Sequence, residues 1–265
     1  MNHALVIDSL RRRIAAKERL SPLRHPSVAL GPAPLDAALP ANGLQTGALH
    51  ELVPATSGDF AASAGFATCL LTRITRLRPG PVLWVVPAHQ AFSEGGLYPL
   101  GLAALGFDPD RLIELRVRKP IDILWALEEG LAHAPLSAVI GILPDNARAY
   151  DFPASRRLAM RAARQGGTAL ILRSRQTAGE ATAAETRWSV AGLPSAPARG
   201  ARAGPGAPRW RLQLVKCRKG ISGHGSSGWD VEWDHEALSF RLPAPLADRA
   251  PAWAHGAANV WSEAS

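Results

Sequence analysis

The 265-residue chain predicts an α/β fold: a mostly parallel sheet flanked by helices, continued by antiparallel strands toward the C-terminus. Three observations carry this. Strand-like and helix-like runs alternate from about residue 49 to residue 174, the pattern of a parallel sheet with helices on both faces. The strand-like runs there, such as "PVLWVVP" (81–87) and "SAVIGIL" (137–143), are continuously apolar, as strands buried on both sides must be. Beyond Arg175 the style changes, and "WDVEW" and "ALSFRL" alternate polar and apolar like antiparallel strands. The length suits one domain with tails.

Taken in order, "ALVIDSLRRRIAAKERL" sets Leu5, Val6, Leu10 and Ile14 among Arg11, Arg12, Arg13 and Lys17, which predicts an amphipathic basic helix. "SPLRHPSVALGPAP" reads as a proline-containing connector. "GALHELV" is a strand, and residues 60–78 are a helix with Phe66, Leu70, Ile74 and Leu77 on its apolar face, ended at Gly80 and Pro81. After the 81–87 strand and Gly95–Gly96 come a short helix around 97–105, the strand "DRLIELRV", a helix over 120–133 and the strand at 137–143. A helix over 153–165 and a strand over 167–174 complete the alternating region. "RWSVAGL" and "RWRLQLVKCRKG" flank "PSAPARGARAGPGAP", a low-complexity loop. The organisation predicted is a basic helix and linker (1–25), a single domain (26–242) and a flexible tail (243–265).

Composition narrows the function classes. At 47% hydrophobic and 20% charged, most of the chain is globular rather than disordered. Cys69 and Cys217 stand far apart without metal-type spacing, and no H-x-x-x-H pair is present, so neither a disulfide framework nor a metal site is expected. No apolar run reaches the length of a membrane span, and the arginine-rich N-terminus lacks a following apolar region. A soluble, reduced, cytoplasmic protein is expected.

The net charge of +8 is unevenly placed: residues 148–220 hold fifteen Lys/Arg against three acids, while 221–265 carry a net −4. Two readings stay open for that basic region, a surface for nucleic acid or an acidic partner and a merely solvated face. The tryptophans Trp188, Trp210, Trp229 and Trp233 read as strand-facing core, whereas Trp253 and Trp261 in the tail could anchor a partner. "SGHGSSGWD" places Ser, His and Asp close together but lacks the strand-to-helix elbow of a hydrolase. His50, Glu51 and His89 read as hydrogen-bonded structural groups.

One stretch carries more information. "GALHELVPATSGDFAASAGF" has the strand–turn–helix layout of a phosphate-binding loop, G-x-x-x-x-G-K-[ST]. Within Pro54, Ser57, Gly58, Asp59 and Phe60, however, Asp59 takes the lysine's place and Phe60 that of the magnesium-binding hydroxyl. Two units of charge are reversed beside the phosphates. At about 4 Å and an effective dielectric near 20 this costs on the order of 8 kcal/mol, against about 0.3–2 kcal/mol returned by a helix N-terminus. Asp59 is expected to cap the helix instead.

"NGLQTGALHELVPATSGDF", "VLWVVPAHQ", "LGFDPDRLIEL", "SAVIGIL", "LAMRAARQGGTALILRS" and "RWRLQLVKCRKG" follow one another in the order of the RecA recombinase core, over about residues 40–242. The set most closely resembles the ImuA family, RecA-related accessory proteins of damage-inducible mutagenesis in bacteria. The resemblance implies a RecA-like core in which the chemical positions are vacant. Besides Asp59 and Phe60, Ala88 stands where a water-activating glutamate is expected, and Gly141 or Ile142 where the Walker B acid is expected. No catalytic residue, cofactor or metal is therefore implied.

The resemblance also places DNA-binding loops near 144–156 and 174–186, stretches that hold or adjoin Arg148, Arg156, Arg157, Arg173 and Arg175. With the helix bearing Arg157, Arg161 and Arg164 on one face, this makes Arg148, Arg157, Arg161, Arg164, Arg173 and Arg175, together with Arg11, Arg12 and Arg13, candidates for DNA or partner contact. The function implied is a non-enzymatic adaptor in SOS-induced translesion synthesis. It would bind an ImuB-like inactive relative of the Y-family polymerases, with RecA, an error-prone polymerase and weak DNA contact as further partners. The alternative is a cell-division inhibitor of the SulA type that binds FtsZ; an ATP-dependent enzyme would need a lysine and acids that are missing.

Overall fold

The computed structural model describes residues 25–93, 96–144, 147–174, 180–195, 206–218 and 228–243. The predicted basic helix and the C-terminal tail, with Arg11, Arg12, Arg13, Trp253 and Trp261, lie outside these, as does Arg175. The chain runs β1 (Ser27–Val28), α1 (Ala33–Ala37), β2 (Leu44–Gln45), β3 (Leu49–Pro54), a 3-10 turn (Ser57–Asp59), α2 (Phe60–Leu77), β4 (Val82–Pro87), α3 (Ala88–Ser93) and α4 (Pro99–Ala104). It continues through β5 (Leu112–Val117), α5 (Pro120–Ala132), β6 (Ala138–Leu143), α6 (Phe152–Gln165), β7 (Thr168–Arg173), β8 (Thr186–Leu193), β9 (Arg209–Cys217), β10 (Trp229–Asp234) and β11 (Ser239–Arg241).

The main sheet has the strand order β11-β10-β9-β8-β3-β7-β6-β4-β5. From β8 to β5 neighbouring strands are parallel, and from β8 to β11 they are antiparallel. The α/β class, the parallel core and the antiparallel C-terminal strands are thus as expected. Every residue of β3, β6 and β7 is buried; this is why β6 reads as an unbroken apolar run and why His50 and Glu51 of β3 need partners inside.

α2 packs on one face of the sheet and α5 and α6 on the other. Because α2 is buried nearly all round, its threonines need internal partners. Thr68, Thr72 and Thr75 donate to the carbonyls of Ala64, Thr68 and Leu71 at 3.0, 3.0 and 2.9 Å.

Coverage by helices on both faces holds only for the parallel half. The antiparallel strands bury one side against α2, where Phe66, Trp210, Trp233 and Phe240 form a ring cluster with centroids 4.9 to 6.0 Å apart. Trp188 is buried too and meets Trp229 at 6.4 Å. Trp188, Trp210 and Trp233 are core, as expected, Trp229 packs part-buried against it, and the rings meet tilted or edge-on.

The opposite face of the antiparallel half is an ion-pair lattice. Arg211 grips Asp230 at 2.7 and 2.9 Å, and Glu232 takes both Arg209 and Arg241. Arg209 and Arg211 of the basic region are met there by acids of the following segment.

One correction concerns the connector. Residues 26–46 form the β1–β2 pair and α1, and Val28, Leu30, Leu35, Leu39 and Leu44 join the α2-side core. Asp36 holds this segment by accepting from Leu30 N at 2.6 Å and Gly31 N at 3.0 Å. Gly31 has φ +128°, and a Cβ there would fall 2.3 Å from the Phe240 carbonyl, so only glycine lets α1 approach β11.

Candidate functional site

The phosphate-loop-shaped turn joins β3 to α2 at the middle of the sheet. Pro54 is buried in register with Val190, and Ala55 N donates to Val190 O at 2.8 Å; Ser57 and Gly58 are exposed. Asp59 Oδ2 accepts from Thr56 N at 3.0 Å and from Thr56 Oγ1 at 2.6 Å. Its Oδ1 accepts from Gly192 N of β8 at 2.8 Å.

The expected helix cap is therefore corrected. Asp59 occupies the position before α2, but its backbone (φ −90°, ψ 7°) belongs to the 3-10 turn and its side chain makes no capping bond to α2. A cap needs an extended backbone to fold its carboxylate over the helix start; Asp59 instead reaches back to Thr56 and across to β8. Desolvation pushes its pKa up, but the bonds from Thr56 and Gly192 outweigh this and hold the carboxyl below its usual range.

Phe60 turns toward the α2-side core, and Trp210 Nε1 donates to the Ala62 carbonyl at 2.8 Å. The turn is thus closed by its own acid and fastened to β8 and β9. Asp59→Ala is expected to cost about 1 kcal/mol, within the range for a lost local cap. Asp59→Asn should cost less, because its carbonyl oxygen still accepts; urea unfolding of the two variants checks both.

The other vacant positions have steric reasons. A Cβ on Gly141 would lie 2.7 Å from Leu127 and 2.9 Å from Ile123, so α5 occupies the space an acid would need. Ile142 is buried in the α2-side core, and Ala88 opens α3 without a functional group.

Beside the turn lies a buried polar cluster. Glu51 of β3 accepts from Tyr150 Oη, Thr182 Oγ1 and Arg187 Nε, each at 2.5 Å. Arg187 also donates to the Glu180 carbonyl at 3.0 Å. Arg173 bridges to Glu180 Oε2 at 3.0 Å and lies 5.5 Å from the centre of the Tyr150 ring. Burial, reinforced by the Glu51 charge, pushes the Tyr150 hydroxyl well above its usual pKa.

His50 faces the other side of β3. Its Nε2 meets the Gln45 carbonyl at 2.7 Å and its Nδ1 meets Thr186 Oγ1 at 2.8 Å. A carbonyl only accepts, so Nε2 carries the proton and Nδ1 accepts from Thr186. Glu51 and His50 are hydrogen-bonded structural groups, as the sequence suggested.

The candidate cations separate by geometry. Arg157 pairs with Glu128 at 3.0 Å, and Arg161 with Glu128 at 3.6 Å and Glu129 at 3.8 Å, so two of the three arginines on that face of α6 are spent on α5. Arg173 is buried and absent from the surface. Arg148 and Arg164 are exposed.

Around the other side of α6, a groove of about 590 Å³ gathers Phe152, Arg156 and Met160 with Lys216 and Arg218 from the end of β9. Of these, Phe152, Met160, Lys216 and Arg218 were not legible as a site. The available signal was the i, i+4, i+8 spacing of Phe152, Arg156 and Met160, with two apolar residues on a face that should be polar. No helix among the described residues is long and apolar enough to cross a membrane, and no three His, Cys, Asp or Glu are grouped there to hold a metal ion.

These features define a class: an α/β protein whose phosphate-loop-shaped turn is closed by an internal carboxylate, with a cationic groove elsewhere on its surface. No family model matches the chain. Protein ImuA of Caulobacter vibrioides (strain NA1000 / CB15N) is 33% identical over 237 residues, covering 84% of this chain and 91% of the relative. Protein ImuA of the same species, strain ATCC 19089 / CIP 103742 / CB 15, matches to the same extent. The chain belongs to the ImuA family. The alternative of a SulA-type division inhibitor finds no support in these relatives.

Proposed function

We propose that this protein is a non-enzymatic adaptor of damage-induced mutagenesis, built on a RecA-like scaffold that has given up nucleotide. The observation that carries the reading is the Asp59 carboxylate, held between Thr56 and Gly192 where a phosphate would need a cation. An incoming anion would meet a fixed negative charge and find the Thr56 and Gly192 amides already taken. Membership of the ImuA family supports the mutagenesis role. The partner, in the cytoplasm, is an ImuB-like inactive relative of the Y-family polymerases, through which an error-prone polymerase is reached, with RecA as a further direct partner. DNA contact is weak and secondary, because Arg157 and Arg161 are already paired and Arg173 is buried.

Calorimetric titration tests the reading in two arms. Magnesium-ATP is expected to give no binding heat below millimolar concentration, and the purified ImuB-like partner is expected to bind. Tight ATP binding would sink the nucleotide-free part, and absence of partner binding would sink the adaptor part.

A further inference from the structure

We propose that the groove beside α6 docks a short acidic protein segment carrying a large apolar side chain. This rests on the adaptor reading and gives the chemistry of one of its contacts. The groove's apolar wall is Phe152 and Met160, 47% and 46% exposed, two helical turns apart with Arg156 between them. Lys216 and Arg218 face them from the end of β9, and no acidic residue among the described residues lines the groove. Neither Arg156 nor Arg218 has an acidic partner among the described residues. Lys216 is tethered to the Thr182 carbonyl, and desolvation pulls its pKa down against the charges of Glu51 and Glu185, so an incoming carboxylate would add a direct partner to a partly buried ammonium.

Charge and shape select a peptide over a polynucleotide. A nucleic-acid strand is held by a continuous track of phosphate contacts and stacked bases. Here the track along α6 is broken among the described residues, because Arg157 and Arg161, which follow Arg156, are neutralised by Glu128 and Glu129. A volume of about 590 Å³ holds a few side chains of an extended or helical segment. Three cations around an apolar wall match carboxylates flanking a Leu or Phe.

The test is fluorescence anisotropy on the full-length protein with a fluorescein-labelled Glu-Glu-Leu-Phe-Glu-Glu peptide, its Lys-for-Glu counterpart and an oligo-dT strand. The acidic peptide is expected to bind in preference to both, weakening as salt rises. Arg156→Glu combined with Arg218→Glu should weaken it at least about tenfold, since like charges would then face each other. Met160→Gln, a neutral second variant at an exposed site, should weaken it without changing the salt dependence. The proposal is overturned if the acidic peptide does not bind, if it binds the variants unchanged, or if oligo-dT binds better and is the ligand the variants lose. A magnesium-ATP titration on the same samples keeps the two readings apart. Nucleotide binding would remove the nucleotide-free reading while leaving the groove result intact.

Discussion

Arg187→Met is expected to lower the unfolding free energy by about 3–5 kcal/mol, the usual cost of stranding one charge of a buried pair. Glu51 is fully buried and Arg187 nearly so, so loss of the guanidinium leaves the carboxylate with only the Tyr150 and Thr182 hydroxyls. Glu51→Gln combined with Arg187→Met should recover part of the loss, because the stranded charge is gone and the amide oxygen still accepts from the two hydroxyls. Recovery stays incomplete because the Gln NH2 then lacks an acceptor. Urea unfolding of the single and double variants measures this. A loss under about 1 kcal/mol for Arg187→Met would show that the pair is solvated, as surface pairs are.

Stability is also expected to fall by roughly 3 kcal/mol between about pH 6.5 and pH 4 through His50 alone. Burial lowers its pKa from 6.5 to about 4, opposed by the Gln45 carbonyl bond. The unfolded chain therefore takes up a proton near pH 6.5 that the folded chain refuses until about pH 4. The stability is complete above the upper value and lost as pH falls through the window. Paired carboxylates such as Asp59, Asp230 and Glu232, with lowered pKa values, add their own loss at the acid end. The comparison is therefore with His50→Gln, whose unfolding free energy should be flatter between pH 7 and pH 5. Equal slopes for the two proteins would mean that His50 is protonated in the folded state.

His50 and Glu51 also show how far the sequence could be read. Two polar residues in an otherwise apolar strand mark groups that must find partners inside. Their partners lie far along the chain: Thr186 and Arg187 are each 136 residues away. Asp59 is similar. Its place in the turn is plain in "TSGDF", but the amide it binds belongs to Gly192, 133 residues later. A lone aspartate before a helix therefore reads as a cap, and only the approach of β8 shows it to be a clasp. The segment 26–46 was missed for another reason. Its buried residues, Val28, Leu30, Leu35, Leu39 and Leu44, follow no helical or strand period, because short pieces fill gaps over the core rather than forming a face.

The sequence by itself determined the α/β class, the order of the main strands and helices, the core role of Trp188, Trp210 and Trp233, and the loss of the phosphate-binding lysine. Each of these is written in local periodicity or in a single residue's chemistry. Only the tertiary structure decided which charges survive at the surface. The excess of arginine in residues 148–220 looks like one basic patch along the chain. The antiparallel pairing of β9 with β10 sets Arg209 and Arg211 against Glu232 and Asp230, and the packing of α6 on α5 spends Arg157 and Arg161 on Glu128 and Glu129. Among the described residues a smaller set remains, Arg148 and Arg164 and the cations that frame the groove. Coulomb energy depends on distance in space, and strand pairing and helix packing set those distances.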